Sequence, residues 1–426
     1  MTSTENVLPT GSSADVVGFQ TADPHRPDVV VTARSTDDVV AAVRHAHAHD
    51  LPVAVHATGH GHTVGRVGGV VVATGAMRGV TVDPVTRTAR VEAGARSEDV
   101  VAAAAEHGLA PLSGSFPGVG VVGYTLGGGL GLLGREFGWA SDRLRAVEIV
   151  LADGSVVRVA DGELFAALRG GRPSVGIVTA VEIGLVPVRT VVGGGLFLDA
   201  GDADAVLPVL HRIASGAPES LGVSLGVVPV PPLDVVPAPI RGRTVLHVRL
   251  VDTDGAVAWA ADEALRAAAP VLLGGLRELP WTESGSIFAE PEVPHAYEGT
   301  NVLVGDLSVA ALAGVVAAAR AASVGCVVDV RRLGGALARP AGPDAVSFRD
   351  AGWIVRVLSS TDGCPASDVR AAHGSVLAPV ADAALGRMVG FVYGASPVDP
   401  AELHEPAVAD LLARVRAEYD PAGRFA

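Results

Sequence analysis

GVGVVGYTLGGGLG, residues 118–131, is half glycine. Its first six residues, Gly118 to Gly123, fit the G-x-G-x-x-G pattern of a dinucleotide-binding turn. A Rossmann turn of that kind follows a buried strand and opens a helix whose N-terminus holds the pyrophosphate. Upstream here is APLSGSFP, with Pro117 directly before the pattern and no apolar strand. Downstream, Tyr124-Thr125-Leu126 runs into Gly127-Gly128-Gly129 and Gly131, and each interior glycine costs a helix about 1 kcal/mol. No stable helix is expected there. Asp142 sits at a suitable distance for a ribose contact, but one acid among 46 discriminates little. The Rossmann reading fails on these neighbours. What remains is bare main chain that can approach a ligand closely and turn successive amides toward phosphate oxygens. Taken alone, a ligand-free turn between strands reads the same way.

The flanking sequence organises around this segment. Val29–Val31 is a β-branched run, and Ser35 with Asp37 and Asp38 supplies a helix start for VVAAVRHAHAH. Pro52–Val55 is a second strand, which completes a β-α-β unit. Residues 69–95 alternate short apolar runs with turn residues, as strands and hairpins do. A helix over 98–107, a strand pair over 144–151 and 155–159, a short helix over 162–169 and a strand over 176–185 follow. The mixed order predicts an α+β fold rather than a doubly wound one. From about 190 to 385 the character changes, with prolines clustered at 227–240 and Ala-rich helices near 255–269 and 308–323. The expected organisation is a flexible N-terminus over 1–20, a first domain over 21–190, a second over 191–385, and a C-terminal segment over 386–426 returning to the first. The tail reads as one amphipathic helix stopped by Asp420-Pro421.

Composition narrows the function. The 426 residues are 49% hydrophobic, 18% charged and carry a net charge of −14, which disfavours nucleic acid and anionic membrane as partners. No apolar run reaches the roughly 18 residues of a bilayer span, and MTSTENVLPTGSSAD lacks the basic start of a signal peptide. A cytoplasmic protein, monomer or homodimer, is expected. Cys326 and Cys364 are too few for a disulfide framework and read as inert core thiols. His45, His47 and His49 with His56 and His62 resemble a metal cluster, but i, i+2 spacing puts helical rings on opposite faces. A solvated helix end is the expectation, and no metal.

Three blocks, in order, carry a resemblance. They are Val55-His56-Ala57-Thr58-Gly59-His60-Gly61-His62, then Phe116 to Gly129, then Leu164 to Gly171 followed by Val175-Gly176-Ile177-Val178-Thr179. This combination resembles the FAD-linked oxidases of the vanillyl-alcohol-oxidase type, with a PCMH-type FAD-binding domain, in the bacterial berberine-bridge-enzyme-like branch. The likeness is strong over 25–190 and weak beyond, through Arg332 to Ala336 and Tyr419-Asp420-Pro421. It implies a first domain of two α+β subdomains and a substrate domain whose antiparallel sheet is covered by helices. It also implies FAD as cofactor. Its pyrophosphate and ribityl chain would lie against His56, Ala57, Thr58, Gly59, His60 and Gly61 and against Phe116, Pro117, Gly118, Gly120, Val121, Gly123, Tyr124, Thr125, Gly127, Gly128 and Gly129. Gly176, Ile177 and Val178 match a strand lining the adenine side. His60 matches the family's covalent attachment point for the flavin 8α-methyl carbon. Some members add a cysteinyl bond, whose position here is Phe116, so a second link is not expected.

The pattern also breaks. Members of this branch usually place a tyrosine after the GGG block and another in a Tyr-x-Asn motif near the C-terminus. This chain has Leu130 and the run Met388-Val389-Gly390-Phe391-Val392-Tyr393, and Arg172-Pro173-Ser174 replaces a glycine-asparagine stretch. Tyr124 and Tyr393 remain as candidate catalytic residues, with packing the blander reading of Tyr124. Asp350, Glu283 and Arg356 are candidates for the pocket or for solvated surface. Two activities stay open. One is an oxidase, in which a substrate C–H delivers hydride to flavin N5 and dioxygen restores the flavin. The other is a non-redox cyclase in natural-product biosynthesis that keeps FAD as a scaffold. The Val- and Ala-rich second domain suggests an apolar small-molecule substrate, a secondary-metabolite intermediate.

Overall fold

A computed structural model describes residues 8–394 and 398–425 of the chain. The first domain opens on β1 (Val29–Thr32), the helix Thr36–Ala48, β2 (Val53–His56) and β3 (Val70–Ala73). All three strands are parallel, with β3 central. Ser35 caps the helix, its Oγ accepting from the Asp38 N–H at 3.3 Å, while Val39, Ala42, Val43 and Ala46 turn inward at helical spacing. A second sheet runs β4 (Val80–Asp83), β5 (Thr88–Glu92), β8 (Gly176–Gly184), β6 (Leu144–Leu151), β7 (Val156–Val159). The β6–β7 hairpin turns at Asp153-Gly154, as the sequence suggests.

The second domain is built on one antiparallel sheet of eight strands. In spatial order they are β12 (Val271–Pro280), β9 (Thr190–Asp199), β11 (Thr244–Asp252), β10 (Leu221–Pro229), β14 (Val327–Arg332), β15 (Trp353–Ser360), β13 (Tyr297–Val304) and β16 (Ala384–Gly386). Strand alternation gives the sheet two unlike faces. Leu196, Val223, Leu246, Val248, Val328 and Val355 point to one side and pack under the helices Ala203–Ser215, Ala256–Ala268, Val309–Ala321 and Ala366–Leu377. The other side faces the first domain. The expected α+β architecture, with its helix-covered antiparallel sheet, is the one observed.

Three local expectations need correction. Val121–Leu126 is a six-residue helix, although glycine was expected to prevent one. The glycines cluster after it, from Gly127, and Val121, Val122 and Thr125 bury its inner side. The C-terminal segment is not a single helix: Pro400–Leu403 and Pro406–Tyr419 are separate, because Pro406 lacks an N–H to continue the first. The second helix packs on Gly162–Leu168 of the first domain, and Val53 donates to the Arg424 carbonyl at 2.8 Å. Finally, residues 8–20 do not behave as a loose lead-in. Thr32 donates to the Pro9 carbonyl, Val16 is buried, and Gln20 donates to the Tyr297 carbonyl at 2.7 Å. Residues 1–7 of that expectation lie outside the described residues.

Candidate active site

β2 ends at His56, and the chain turns through Ala57–Gly61 beneath the glycine segment. Thr58 joins the two. Its Oγ1 accepts from the Gly120 N–H at 3.3 Å and hydrogen-bonds His60 Nδ1 at 3.0 Å. Gly59 has φ +70, and a Cβ there would lie 2.5 Å from the Gly18 Cα, so the turn tolerates only glycine. Phe19, next to Gly18, donates its N–H to the Thr58 carbonyl and stacks on the His60 ring at 4.3 Å. From β13, the Tyr297 hydroxyl donates to the His60 carbonyl at 2.7 Å. Both domains therefore fix this loop.

The His60 ring is largely enclosed. Burial, with Arg96 adding to it, pulls its pKa down to about 4, so the imidazole is neutral at neutral pH. Its Nε2 is buried with no hydrogen-bond partner among the described residues. Phe116 lies beside it, ring centroids 5.2 Å apart. His56 is also buried and held to about 4, by burial first and then by His25 and His62. Its ring meets His25 edge-on at 5.1 Å. Among the described residues no group of three or more His, Cys, Asp or Glu is placed to hold a metal ion.

The glycine segment docks on the helix Ser97–Ala105, whose first N–H groups it occupies. Ser97 and Glu98 donate to the Val119 and Pro117 carbonyls at 2.9 and 3.0 Å. Gly120 then caps the short helix, Gly127 ends it, and Gly128 and Gly129 take φ +95 and +74. A Cβ on Gly123 would meet nothing within 4 Å. One on Gly61 would meet only the Arg172 guanidinium nitrogens, at 3.8 and 3.9 Å. Arg172 has φ +46, its backbone N–H bonds to Leu126, and its side chain is accessible although protein surrounds it. These residues line a cleft. A neutral imidazole with an unsatisfied nitrogen, open space over two glycines and a cationic side chain across it fit a large anionic cofactor such as FAD.

Not every predicted residue reaches the cleft. Gly176 backs onto the Val150 carbonyl, and Ile177 and Val178 are buried in hydrophobic packing. The Tyr124 ring wedges against Gly114, Gly129 and Gly131. Burial pushes its phenol up, and its hydroxyl has no partner among the described residues. That is the packing role. Tyr393 does face the cleft: its ring meets Tyr297 at 5.6 Å, and Arg356, Arg331 and Arg172 are near enough to act on its phenol. Of the three pocket candidates only Arg356 is there. Glu283 pairs with Arg277 in solvent, and Asp350 is exposed.

Sequence reasoning missed most of the far wall. Arg249 of β11, Asp329 and Arg331 of β14 and Arg356 of β15 all point from the sheet toward the first domain. Phe288 lies under Arg249 and Arg331, and Phe391 under Arg356. Glu290 accepts from Ser115 Oγ at 2.6 Å, one residue before Phe116. The valines and alanines that suggested an apolar pocket lie on the opposite face, under the helices. Only the acid and arginine spaced two apart in VDVRR, which put Asp329 and Arg331 on one strand face, offered a signal.

Comparison with known proteins agrees with this geometry. Residues 27–160 match the family described as "FAD binding domain". This segment is an FAD-binding domain. FAD is its cofactor. Over 189 residues the chain is 35% identical to (R)-6-hydroxynicotine oxidase of Paenarthrobacter nicotinovorans. That stretch spans 42% of this chain and 41% of that enzyme, so less than half of the relative is matched. Solved structures cover nearly the whole chain. Physcomitrella patens BBE-like 1 aligns with TM-score 0.84 and 19% identity over 97% of this chain and 93% of its own. Glucooligosaccharide oxidase from Acremonium strictum, a protein with a 6-S-cysteinyl, 8α-N1-histidyl FAD, aligns with TM-score 0.81 and 20% identity over 96% of this chain and 93% of its own. The described residues share the fold of these two proteins.

Proposed function

We propose that the protein is an FAD-dependent oxidase of a small molecule, with the FAD-binding domain holding the cofactor and the eight-stranded sheet facing the substrate. Bound FAD supplies the hydride acceptor and the centre that dioxygen reoxidises. The chain's own residues hold and orient. The Ala57–Gly61 turn and the Gly118–Gly129 segment take the diphosphate against bare main chain. Phe19 and Tyr297 fix the His60 ring and carbonyl, and the neutral His60 is the candidate covalent anchor; Phe116 offers no second one. The observation that carries the reading is the Nε2 of His60, buried with no hydrogen-bond partner among the described residues, in a turn that Thr58 ties to the glycine segment. The oxidoreductase names of the relatives support a redox role over the cyclase.

For the proton, Tyr393 and Glu290 stand in the cleft where Tyr124 does not. Burial pushes the Tyr393 phenol up against the pull of Arg356, so it stays protonated at neutral pH. Glu290 is close enough to act on Tyr297 and Tyr393, which suits it to accept a substrate proton. Anaerobic titration of the holoprotein with candidate substrates tests the activity. Loss of the oxidised-flavin band near about 450 nm is the expected result; product formed with the band unchanged would favour the cyclase.

A further inference from the structure

We propose that the inward face of the eight-stranded sheet, at Arg249, Arg331 and Arg356, binds an anionic group on the substrate, a carboxylate or a phosphate. This deepens the oxidase reading and rests on it, since it takes the cleft beside His60 as the substrate's. The register of the sheet sets the three guanidiniums side by side. Ser224 of β10 pairs with both Arg249 and Arg331, and Asp329 pairs with Arg356. One carboxylate serves all three. Asp329 accepts from Arg331 Nε at 2.7 Å, meets Arg249 Nη1 at 3.1 Å and lies 3.9 Å from Arg356 Nε. Burial alone would raise the Asp329 carboxyl, but the three cations outweigh it and hold it far below the usual range.

The charges on this wall do not cancel. His247, stacked on Phe197, is held neutral, pulled to about 2 by burial and by Arg249. Glu290 across the cleft offsets one cation, and Arg172 adds another. Arg249 is drawn down to about 10, by burial and then by its neighbours Arg331 and Arg356 despite Asp329. Arg331 is 6% exposed, and its Nη2 has no hydrogen-bond partner among the described residues. Phe288 and Phe391 lie against these guanidiniums at 4.2 to 5.5 Å, and phenyl faces attract cations but accept no such fork of N–H groups. A purely structural ion cluster would be expected to balance, because a buried charge left without a partner is strongly destabilising. Arg249 and Arg331 border a small cavity with Arg135, Arg332 and Phe288 beside them and Leu130 opposite, while Arg356 reaches the same wall over Phe391. Leu130 follows the Gly127–Gly129 block directly. The geometry of an arginine fork matches a planar carboxylate or a phosphate.

Calorimetric titration of the FAD-loaded protein with benzoate, benzamide and inorganic phosphate reads this out without turnover. Benzoate is expected to bind at least tenfold tighter than neutral benzamide, and to weaken with added salt. Arg331→Met and Arg356→Met should each weaken benzoate about tenfold while the flavin spectrum and the melting temperature hold. Arg339→Gln, which removes a surface pair with Glu219, should leave it unchanged. Phosphate displacing benzoate points to a phosphate-bearing ligand; failure to displace it points to a carboxylate. Equal binding of benzoate and benzamide, or wild-type benzoate affinity in both folded arginine variants, would overturn the proposal. A colourless protein that still binds benzoate would defeat the flavin reading and leave the anion site standing.

Discussion

His60 has two ring nitrogens in unequal circumstances, Nδ1 hydrogen-bonded to Thr58 and Nε2 buried without a partner among the described residues. That inequality is the chemical content of the loop. Removing the Tyr297 hydroxyl tests how the loop is held: Tyr297→Phe loses the bond to the His60 carbonyl and should lower stability by about 1 kcal/mol, read as a shift in the urea midpoint, with weaker FAD retention. Gly59→Ala is more severe, because the added methyl meets the Gly18 backbone at 2.5 Å in a left-handed turn; the variant should emerge without FAD. Glu290→Gln keeps the shape and removes the proton acceptor. Its turnover should fall by roughly 10²–10⁴ with FAD content intact, and an unchanged rate would remove Glu290 from the mechanism. The loop and its histidine were found in the sequence through the family resemblance of the Val55–His62 block rather than from the residues alone. Glu290 and Arg249 were not readable, because a lone charged residue in a strand or loop looks the same whether it meets solvent or a cofactor cleft. Arg172 left a trace, as the break in the expected glycine-asparagine stretch.

At the scale of elements, periodicity located most of the structure. The β-α-β opening, the β6–β7 hairpin and the Ala-rich helices of the second domain lie where apolar spacing and turn residues place them. The short helix Val121–Leu126 escaped because its stabilisation is tertiary: the buried Val121, Val122 and Thr125 outweigh a poor local propensity. The strand faces were misassigned in meaning rather than position. Alternation in β11 and β14 separates an apolar helix-covered side from a charged one, and composition averages the two. Two variants separate scaffold from site. Ser35→Ala removes a helix cap and should cost about 1 kcal/mol without touching cofactor content. Leu246→Ala, in the core between sheet and helices, should cost about 2–5 kcal/mol, read in the same denaturation assay.

Across the whole molecule, several histidines are neutral because they are buried. His56, His60 and His373 are held to about 4, and His247 to about 2, each by burial first. The unfolded chain takes up these protons near pH 6.5, while the folded protein resists them until about pH 4. Folding stability is therefore full above about pH 6.5 and falls as the pH drops from there toward 4. Urea midpoints measured from pH 7.5 to 4.5 should decline steadily through that window; a flat profile would mean these rings are not buried as described. The whole chain carries a net charge of −14, so an anion entering beside the arginine wall would be drawn by the local field rather than by the overall charge.

The cleft between the His60 turn and the glycine segment is the feature on which the flavin chemistry depends, and the visible spectrum of the purified protein, before and after acid precipitation, interrogates it directly. FAD absorbance that stays with the precipitated polypeptide in the wild type, and is released to the supernatant in His60→Ala, is the expected result. A protein that is colourless and takes up no FAD on reconstitution would contradict the account at its base.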